Sequence, residues 1–225
     1  MSKQDEIIDQ LLKLLNKESL LEYLMLVGSW CLHIYRHAFK ESDLLPPLRT
    51  TDIEFDASFL RRSPQKIDLL DLFKTIGFEV DFRGEGHIAL VRPEITLEFL
   101  VPEIGRGSSA PYPLPGFGIN AQPLRFLSFL EEEVQTLPYK GLHVKVPHPA
   151  RFALHKLLIS QRRTKEYKAE KDVEQALAVW DMVARMGQAG KISELFHSLK
   201  PRWKAYIKSA LQKSGELERI TGAGF

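Results

Sequence analysis

The chain has 225 residues, of which 44% are hydrophobic and 27% are charged, as in an ordinary globular protein of one large or two closely packed domains. Its formal net charge is only +2. The chain as a whole therefore lacks the strong positive field that would indicate a nucleic-acid or membrane partner. The single cysteine, Cys31, excludes an intramolecular disulfide framework and a cysteine-based zinc cluster.

The chain begins with an amphipathic segment that has acidic residues inside it, unlike a signal peptide. No apolar run approaches the roughly 20 residues that a membrane-spanning helix needs. We therefore expect a cytoplasmic protein that does not insert into a membrane. Residues 5–16 carry apolar side chains at helical spacing, and Asp5 can cap this first helix.

The first half of the chain is predicted to alternate short strands with helices. One apolar segment ends at Gly28 and fits a buried strand, although a helix also fits. Ser63 and Pro64 resemble the start of a helix that ends at Gly77. The predicted strands cover residues 20–27, 50–59, 78–82, 87–92, 95–101 and 142–146, and the predicted helices cover residues 5–16, 30–39, 63–76 and 124–133.

Residues 104–120 are rich in Gly, Pro and Ser, which predicts either a loop over a binding face or an irregular surface loop. From Pro149, a residue suited to the first position of a helix, the pattern is helical to the end. We therefore predict an αβ domain over residues 1–147 and a helical domain over residues 148–225.

Gly28 and Ser29 lie where a strand is predicted to turn into a helix. A glycine at such a turn lets backbone N–H groups approach a phosphate, and the N-terminus of the helix favours negative charge. Since Gly-Ser is also a common turn pair, this signal is weak alone.

Asp52 and Glu54 are one residue apart in a predicted strand, so both carboxylates lie on the same face. Two like charges this close repel unless a cation intervenes, and hard oxygen ligands suit Mg²⁺ or Mn²⁺. A half-exposed strand with solvated acids is the alternative. Asp56 continues the same face and is a rival ligand, although we prefer the pair nearer the start of the strand.

Glu98 is the best candidate for a third acidic ligand. It is flanked by apolar residues in a predicted strand, where a carboxylate is unfavourable in a core and useful beside two others. Glu94 and Glu103 lie at turn-like positions and are weaker candidates.

These residues resemble the pattern of the polymerase-β-like nucleotidyltransferases, in which a Gly-Ser turn precedes a strand with two acids and a later strand supplies a third acid. More narrowly, the chain resembles a bacterial nucleotidyltransferase-like family related to the GSLPL group. The stretches that carry this resemblance are Arg49-Thr-Thr-Asp-Ile-Glu-Phe55, Leu97-Glu-Phe-Leu-Val-Pro102, Pro149-Ala-Arg-Phe-Ala-Leu-His-Lys156, Arg162-Arg163 and Lys171-Asp-Val-Glu-Gln-Ala176.

The resemblance implies an α+β fold, with a mixed sheet followed by a helical C-terminal part. It also implies Mg²⁺- or Mn²⁺-dependent transfer of a nucleoside monophosphate from an NTP to an RNA, protein or small-molecule acceptor, with release of pyrophosphate. By this reading, Gly28 and Ser29 bind the terminal phosphates, while Asp52, Glu54 and Glu98 hold metal. Glu98 would also activate an acceptor hydroxyl.

Lys156, Arg163 and Lys171 are candidate triphosphate ligands from the helical half, because positive charge complements the nucleotide. Lys156 is the best of the three, since it is embedded in an apolar segment. A solvated basic helix face is the alternative for the whole run.

Two other hypotheses remain open at this stage. One is a nucleotide-binding module that keeps the fold without catalysis. The other is a toxin- or antitoxin-like interaction protein, which would form a stable complex with a partner. The sequence does not indicate an oligomeric state.

Overall fold

The computed structural model describes residues 3–48, 50–103 and 110–222. These residues form two compact units. The first unit takes in the described residues up to 38, those from 48 to 128, and residues 134–146. The second unit takes in residues 39–47 and 129–133 and the chain from 147 onward. Since the chain enters the second unit more than once, the simple division at residue 147 stays a prediction.

The helices of the described residues concentrate in the second half of the chain, as the sequence predicts. In chain order they are α1 (Lys3–Lys17), α2 (Cys31–Ala38), α3 (Leu69–Lys74), α4 (Leu127–Glu131), α5 (Pro149–Ser160), α6 (Glu166–Arg185), α7 (Ala189–Ser198) and α8 (Pro201–Lys213). No helix in the described part of the chain is long and apolar enough to cross a membrane.

The first unit is built on a mixed sheet of nine described strands. Its order is β3-β4-β5-β2-β1-β9-β8, with β7 beside β5 and β6 beside β7. The pairs β2-β5, β1-β9 and β5-β7 are parallel, whereas β1-β2, β3-β4, β4-β5 and β6-β7 are antiparallel. The strands are β1 (Met25–Val27), β2 (Asp52–Asp56), β3 (Glu79–Arg83), β4 (His87–Arg92), β5 (Ile95–Pro102), β6 (Tyr112–Leu114), β7 (Ile119–Leu124), β8 (Val134–Tyr139) and β9 (Leu142–Pro147).

Alternation along β2 and β5 separates a core face from a polar face. Ile53 and Phe55 are fully buried, as is Leu97 on the neighbouring strand. The ring of Phe99 stacks against Phe73 of α3, with centroids 6.1 Å apart. Because alternate residues point in opposite directions, this core fixes the acids between these positions on the other face.

The predicted fold class, a mixed sheet followed by helices, is confirmed. Some details of the first unit were predicted wrongly. The strand predicted over residues 20–27 is only the short β1, preceded by the 3-10 turn Leu21–Tyr23. The helix predicted from Ser63-Pro64 begins only at Leu69, because Asp68 caps it by accepting hydrogen bonds from two backbone N–H groups at 2.8 and 3.1 Å.

Part of the predicted loop over residues 104–120 is in fact a hairpin. Residues 104–109 lie outside the described part of the chain, and Tyr112 begins the β6-β7 ribbon. Pro113 is compatible with a strand here because β6 pairs on one side only. The prolines that indicated a loop therefore mark the edge of a sheet.

The second unit is organised around α5, which is buried along almost its whole length and packs against α6, α7 and α8. Pro149 occupies its first turn, as predicted, and the Nδ1 atom of His148 caps it by accepting from the Ala150 N–H at 3.1 Å. The sequence Leu157-Leu158 lies in the core of this unit.

A buried hydrogen-bonded chain anchors α2 to α1 and β8. The Tyr139 hydroxyl donates to Asp9 at 2.5 Å, and it lies 2.8 Å from Nε2 of His33 on α2. Burial, assisted by the neighbouring His37, lowers the pKa of His33 to about 4. His33 is therefore neutral at physiological pH.

We expect His33 to make the protein less stable in mild acid. Its pKa is lower in the folded chain than the ordinary value of 6.5, so the unfolded chain binds its proton first as the pH falls. The free energy of unfolding should drop by about 2–3 kcal/mol between pH 6.5 and 4 through this group. Urea unfolding of His33→Gln should show a shallower pH dependence than wild type, whereas the exposed His143→Gln should match wild type.

Candidate active site

The turn at Gly28 and Ser29 joins β1 to α2, which confirms the predicted strand-to-helix turn. Gly28 has φ +66°, a left-handed conformation that glycine adopts readily. A single 3-10 turn, Gly28–Trp30, leads directly into α2, and Ser29 is 4% exposed. The turn is therefore firmly packed rather than a mobile surface loop.

The Glu54 carboxylate lies directly against this turn. Val27 and Glu54 are partners in the antiparallel β1-β2 pair. A methyl group placed on the Gly28 Cα would come within 1.9 Å of Oε2 of Glu54 and 3.0 Å of its Cδ. Only glycine leaves room for the carboxylate, so the conformation and the close approach both require Gly28.

We expect Gly28→Ala to displace the Glu54 carboxylate and to destabilise the fold. The left-handed conformation alone costs an alanine about 1–2 kcal/mol, and the clash adds to this cost. Gly141→Ala is the matched control, because Gly141 has φ +81° but open space where its Cβ would lie. The difference between the losses in free energy of urea unfolding of Gly28→Ala and Gly141→Ala measures what displacing the Glu54 carboxylate costs. A smaller loss in Gly28→Ala than in Gly141→Ala would contradict the prediction.

The sheet brings the three predicted acids together on one face. Glu54 and Glu98 are partners in the parallel β2-β5 pair. Asp52, two residues before Glu54, pairs with Thr96. Neighbouring strands are about 4.8 Å apart, so the backbones of the two glutamates lie side by side. All three acids are half-buried. The predicted shared face is confirmed, whereas their roles in metal binding stay predictions.

Burial raises the pKa of the Glu98 carboxyl; Arg83 opposes this effect and the nearby Asp52 carboxylate adds to it. The interaction with Asp52 is the like-charge repulsion that the spacing of the acids predicts. A carboxyl with a raised pKa between a cation and another acid is suited to exchanging a proton.

Sequence reasoning missed Arg83, which lies at the end of β3. Its Nη1 atom donates to Glu98 Oε1 at 2.6 Å, and its Nε atom donates to Asp81 Oδ2 at 2.9 Å. The guanidinium thus reaches from β3 across β4 to β5. Its signal in the sequence was the alternation of Asp81 and Arg83, which places both on one face of the strand.

Asp56, the rival ligand, has a different environment from the other acids. Its residue is 0% exposed, and Oδ1 accepts from the backbone N–H of Ser58 at 2.9 Å and from its hydroxyl at 2.5 Å. This pattern closes the turn that follows β2. Asp52 and Glu54, which are more exposed, fit a ligand role better.

The acids fit a hard divalent cation in donor chemistry and in their common face, since carboxylate oxygens are the ligands that Mg²⁺ and Mn²⁺ prefer. As the side chains stand, no three Asp, Glu, His or Cys residues of the described chain converge in a metal-binding group. At Glu98, Arg83 donates to Oε1 of the carboxylate. A metal bound there would compete with this guanidinium for the third acid.

The predicted cationic ligands lie in the second unit. Lys156 is buried, and its Nζ atom is 2.7 Å from Oδ1 of Asp172. The Nε atom of Arg163 is 2.6 Å from the other oxygen of the same aspartate. Lys171 precedes Asp172 on α6. The nucleotide-binding roles of these three cations stay predictions, and the position of Arg49 lies outside the described residues.

A mixed sheet whose first strand ends in a Gly-Ser turn, with acids on the two adjacent strands, is the architecture expected of a nucleotidyltransferase. A family model described as "Nucleotidyltransferase" matches residues 7–195 of the chain. The chain therefore belongs to this nucleotidyltransferase family. Membership supports a general nucleotidyl-transfer activity with an NTP as substrate, whereas the narrower relation to the GSLPL group stays a prediction.

Among solved structures, an antigenic nucleotidyltransferase-like protein from Paracoccidioides brasiliensis aligns with 80% of this chain and 89% of its own. The identity is 13% and the TM-score is 0.34, a similarity too low to support the assignment further. No curated protein matches significantly.

Proposed function

We propose that the chain transfers a nucleoside monophosphate from an NTP to an acceptor and releases pyrophosphate, with Mg²⁺ or Mn²⁺ bound at Asp52, Glu54 and Glu98. The observation that supports this proposal best is the placement of the three carboxylates on the paired strands β2 and β5. The Gly28-Ser29 turn touches one of them, as a phosphate-binding turn beside the metal would.

In this proposal the metal, once bound, supplies positive charge for the phosphate oxygens. Asp52 and Glu54 hold it from β2, and Glu98 holds it from β5. In this proposal Glu98 also accepts the proton of an acceptor hydroxyl, and the pKa of its carboxyl, which burial raises, supports this role. The Gly28-Ser29 turn orients the terminal phosphates. The acceptor is an RNA, a protein or a small molecule that carries such a hydroxyl.

Calorimetry with the non-hydrolysable analogue α,β-methylene-ATP tests this proposal. We expect Mg²⁺ to tighten binding of the analogue to the wild-type chain at least about 10-fold, and Asp52→Asn to remove most of this gain. A crystal soaked with the same mixture should show metal bound to the three carboxylates. Binding that is equally tight with and without Mg²⁺, in wild type and variant alike, would contradict the proposal.

The second candidate function is a nucleotide-binding module without catalysis. The observation that favours it is the ion pair between Arg83 and Glu98, which engages the third acid with a protein cation. This function predicts that the analogue binds without Mg²⁺ and that Glu98→Gln leaves its affinity unchanged. The same titrations therefore discriminate the two functions.

We expect Arg83→Gln to strengthen Mn²⁺ binding in the absence of nucleotide by about 3- to 10-fold, because the metal then need not displace a guanidinium from Glu98. Mn²⁺ electron paramagnetic resonance measures this affinity directly. Arg92→Gln removes the same charge from the neighbouring β4 and should change the affinity by less than about 2-fold. Equal effects of the two variants would show that only the general electrostatic field had changed.

A further inference from the structure

A second candidate ligand site lies in the first unit, on the segment that follows β2. There an open surface cavity of about 320 Å³ is lined by Arg61, Lys66 and the β6 hairpin from Tyr112 to Phe117. The described lining contains two cationic side chains and no acidic one. Its volume is at the lower end of the range for small-molecule sites, about 300–1,000 Å³.

Lys66 is held in place at this cavity by three contacts. Its Nζ atom donates to the Ser63 carbonyl at 2.7 Å and lies 4.9 Å from the ring centroid of Phe117. Its aliphatic stem packs onto Gly116, where an added Cβ would come within 2.8 Å of Cδ of the lysine. The bond to Ser63 uses one of the three ammonium N–H groups, so the other two can serve an anionic ligand.

Arg61 lies over an aromatic ring. Its guanidinium carbon is 4.3 Å from the ring centroid of Tyr112, a cation–π contact that holds the group beside the cavity. Arg62, the next residue, lies 5.0 Å from the ring of Phe59. Arg61, Arg62 and Lys66 lie within six residues of the chain, and all three are exposed. This segment therefore presents three cations to solvent.

The cavity lies off the face that carries the acids. Tyr112 pairs with Ala121 of β7, and Ala121 is buried on the core side. Gln122, the next residue, pairs with Leu100 of β5. Leu100 is two residues after Glu98, so Gln122 and Glu98 lie on the same face of the sheet. By strand alternation, Tyr112 therefore lies on the face opposite to Glu98. A ligand bound here would not occupy the proposed metal site.

We propose that this cavity binds a nucleoside phosphate unit, presented by single-stranded RNA or as a free nucleotide. The Arg61 guanidinium and the Lys66 ammonium complement a phosphate in charge and can donate hydrogen bonds to its oxygens. Pro113, which is exposed, supplies apolar surface for a base. The proposal does not depend on the function proposed for the carboxylates.

Fluorescence anisotropy with a labelled 12-nucleotide uridine RNA tests this site, with unlabelled AMP as the second probe. Arg61→Gln/Lys66→Gln should weaken binding of the RNA at least about 10-fold. It should also make the slope of log affinity against log salt concentration shallower by about one to two. Tyr112→Leu keeps an apolar side chain but removes the ring over which the Arg61 guanidinium lies, so it should weaken binding about 3-fold or more.

The matched control is Arg202→Gln/Lys208→Gln on α8. It removes the same charge, and Arg202 also contacts a tyrosine, with its Nε atom donating to the Tyr206 hydroxyl at 3.1 Å. This control should weaken RNA binding by less than about 2-fold. Thermal unfolding of each variant should show that the fold is retained.

The two probes distinguish the two sources of the phosphate. Loss of binding of both AMP and RNA in Arg61→Gln/Lys66→Gln identifies a site for a single nucleotide, whereas loss of RNA binding alone identifies a site that needs a strand. The proposal is overturned if wild type binds neither probe, if the variant binds both as wild type does, or if the control loses as much affinity as the variant.

Discussion

Exchanging Asp52 for asparagine is expected to lower nucleotidyl transfer by at least about 10³-fold, because it removes the negative charge that would hold the metal at the reacting phosphate. The exchange is isosteric, and the only hydrogen bond that we describe to its carboxylate, from the Thr51 hydroxyl, is long at 3.4 Å. The fold should therefore be nearly as stable as in wild type. Label transferred from each α-³²P-labelled NTP to total RNA and to a cell lysate measures the activity.

Glu94→Gln is the control for this prediction. Glu94 is an exposed acid at the turn before β5, where its nearest described cation, Lys3, is 3.9 Å away. This variant should transfer label at the wild-type rate. If Asp52→Asn/Glu54→Gln also transferred label at that rate, these two carboxylates would not be the catalytic acids.

The part of this site that could be predicted from the sequence is the part that depends on local alternation. Asp52 and Glu54 share a face because they are two residues apart in one strand, whatever strand lies beside them. Their position opposite Glu98 depends on the register of β2 against β5. No local pattern fixes that register, so the partnership of Glu54 and Glu98 could only be a hypothesis.

Arg83 was missed for the same physical reason. It lies where a turn begins, and in the sequence it is separated from Glu98 by the whole of β4. Only the pairing of β3 with β4 and of β4 with β5 brings its guanidinium to that acid. The consequence is chemical as well as structural, because a cation that the sequence did not reveal competes for the third predicted metal ligand.

Lys156 shows a different limit of the sequence. The sequence predicts that Lys156 binds the nucleotide because it is embedded in an apolar segment, and the structure shows that the residue is 4% exposed. Burial requires an anionic partner, but the pattern does not say whether that partner is a phosphate or a carboxylate. The carboxylate of Asp172, on the next helix, meets the requirement within the protein.

Asp172→Ala is expected to cost about 3–5 kcal/mol of unfolding free energy, the largest stability loss that we predict, because it leaves the buried ammonium of Lys156 without its carboxylate. Asp172 is 0% exposed and accepts from both Lys156 and Arg163. Burial alone would raise the pKa of Asp172, but Lys156 and Arg163 outweigh it and hold the pKa below its ordinary value. The pair is therefore charged at neutral pH, and its stabilisation is lost as the pH falls through the lowered pKa. Urea unfolding measures the loss.

Two further variants test the cause and separate it from nucleotide binding. Arg163→Gln removes the more exposed partner and should cost less than about 1 kcal/mol. Lys156→Met/Asp172→Leu replaces both buried charges with apolar side chains and should recover most of the stability, because the only charge left without Asp172 is that of the more exposed Arg163. If this double variant is stable and still binds α,β-methylene-ATP as wild type does, Lys156 serves the fold. If it is stable but binds the analogue much more weakly, the lysine also serves the nucleotide, as the sequence predicts.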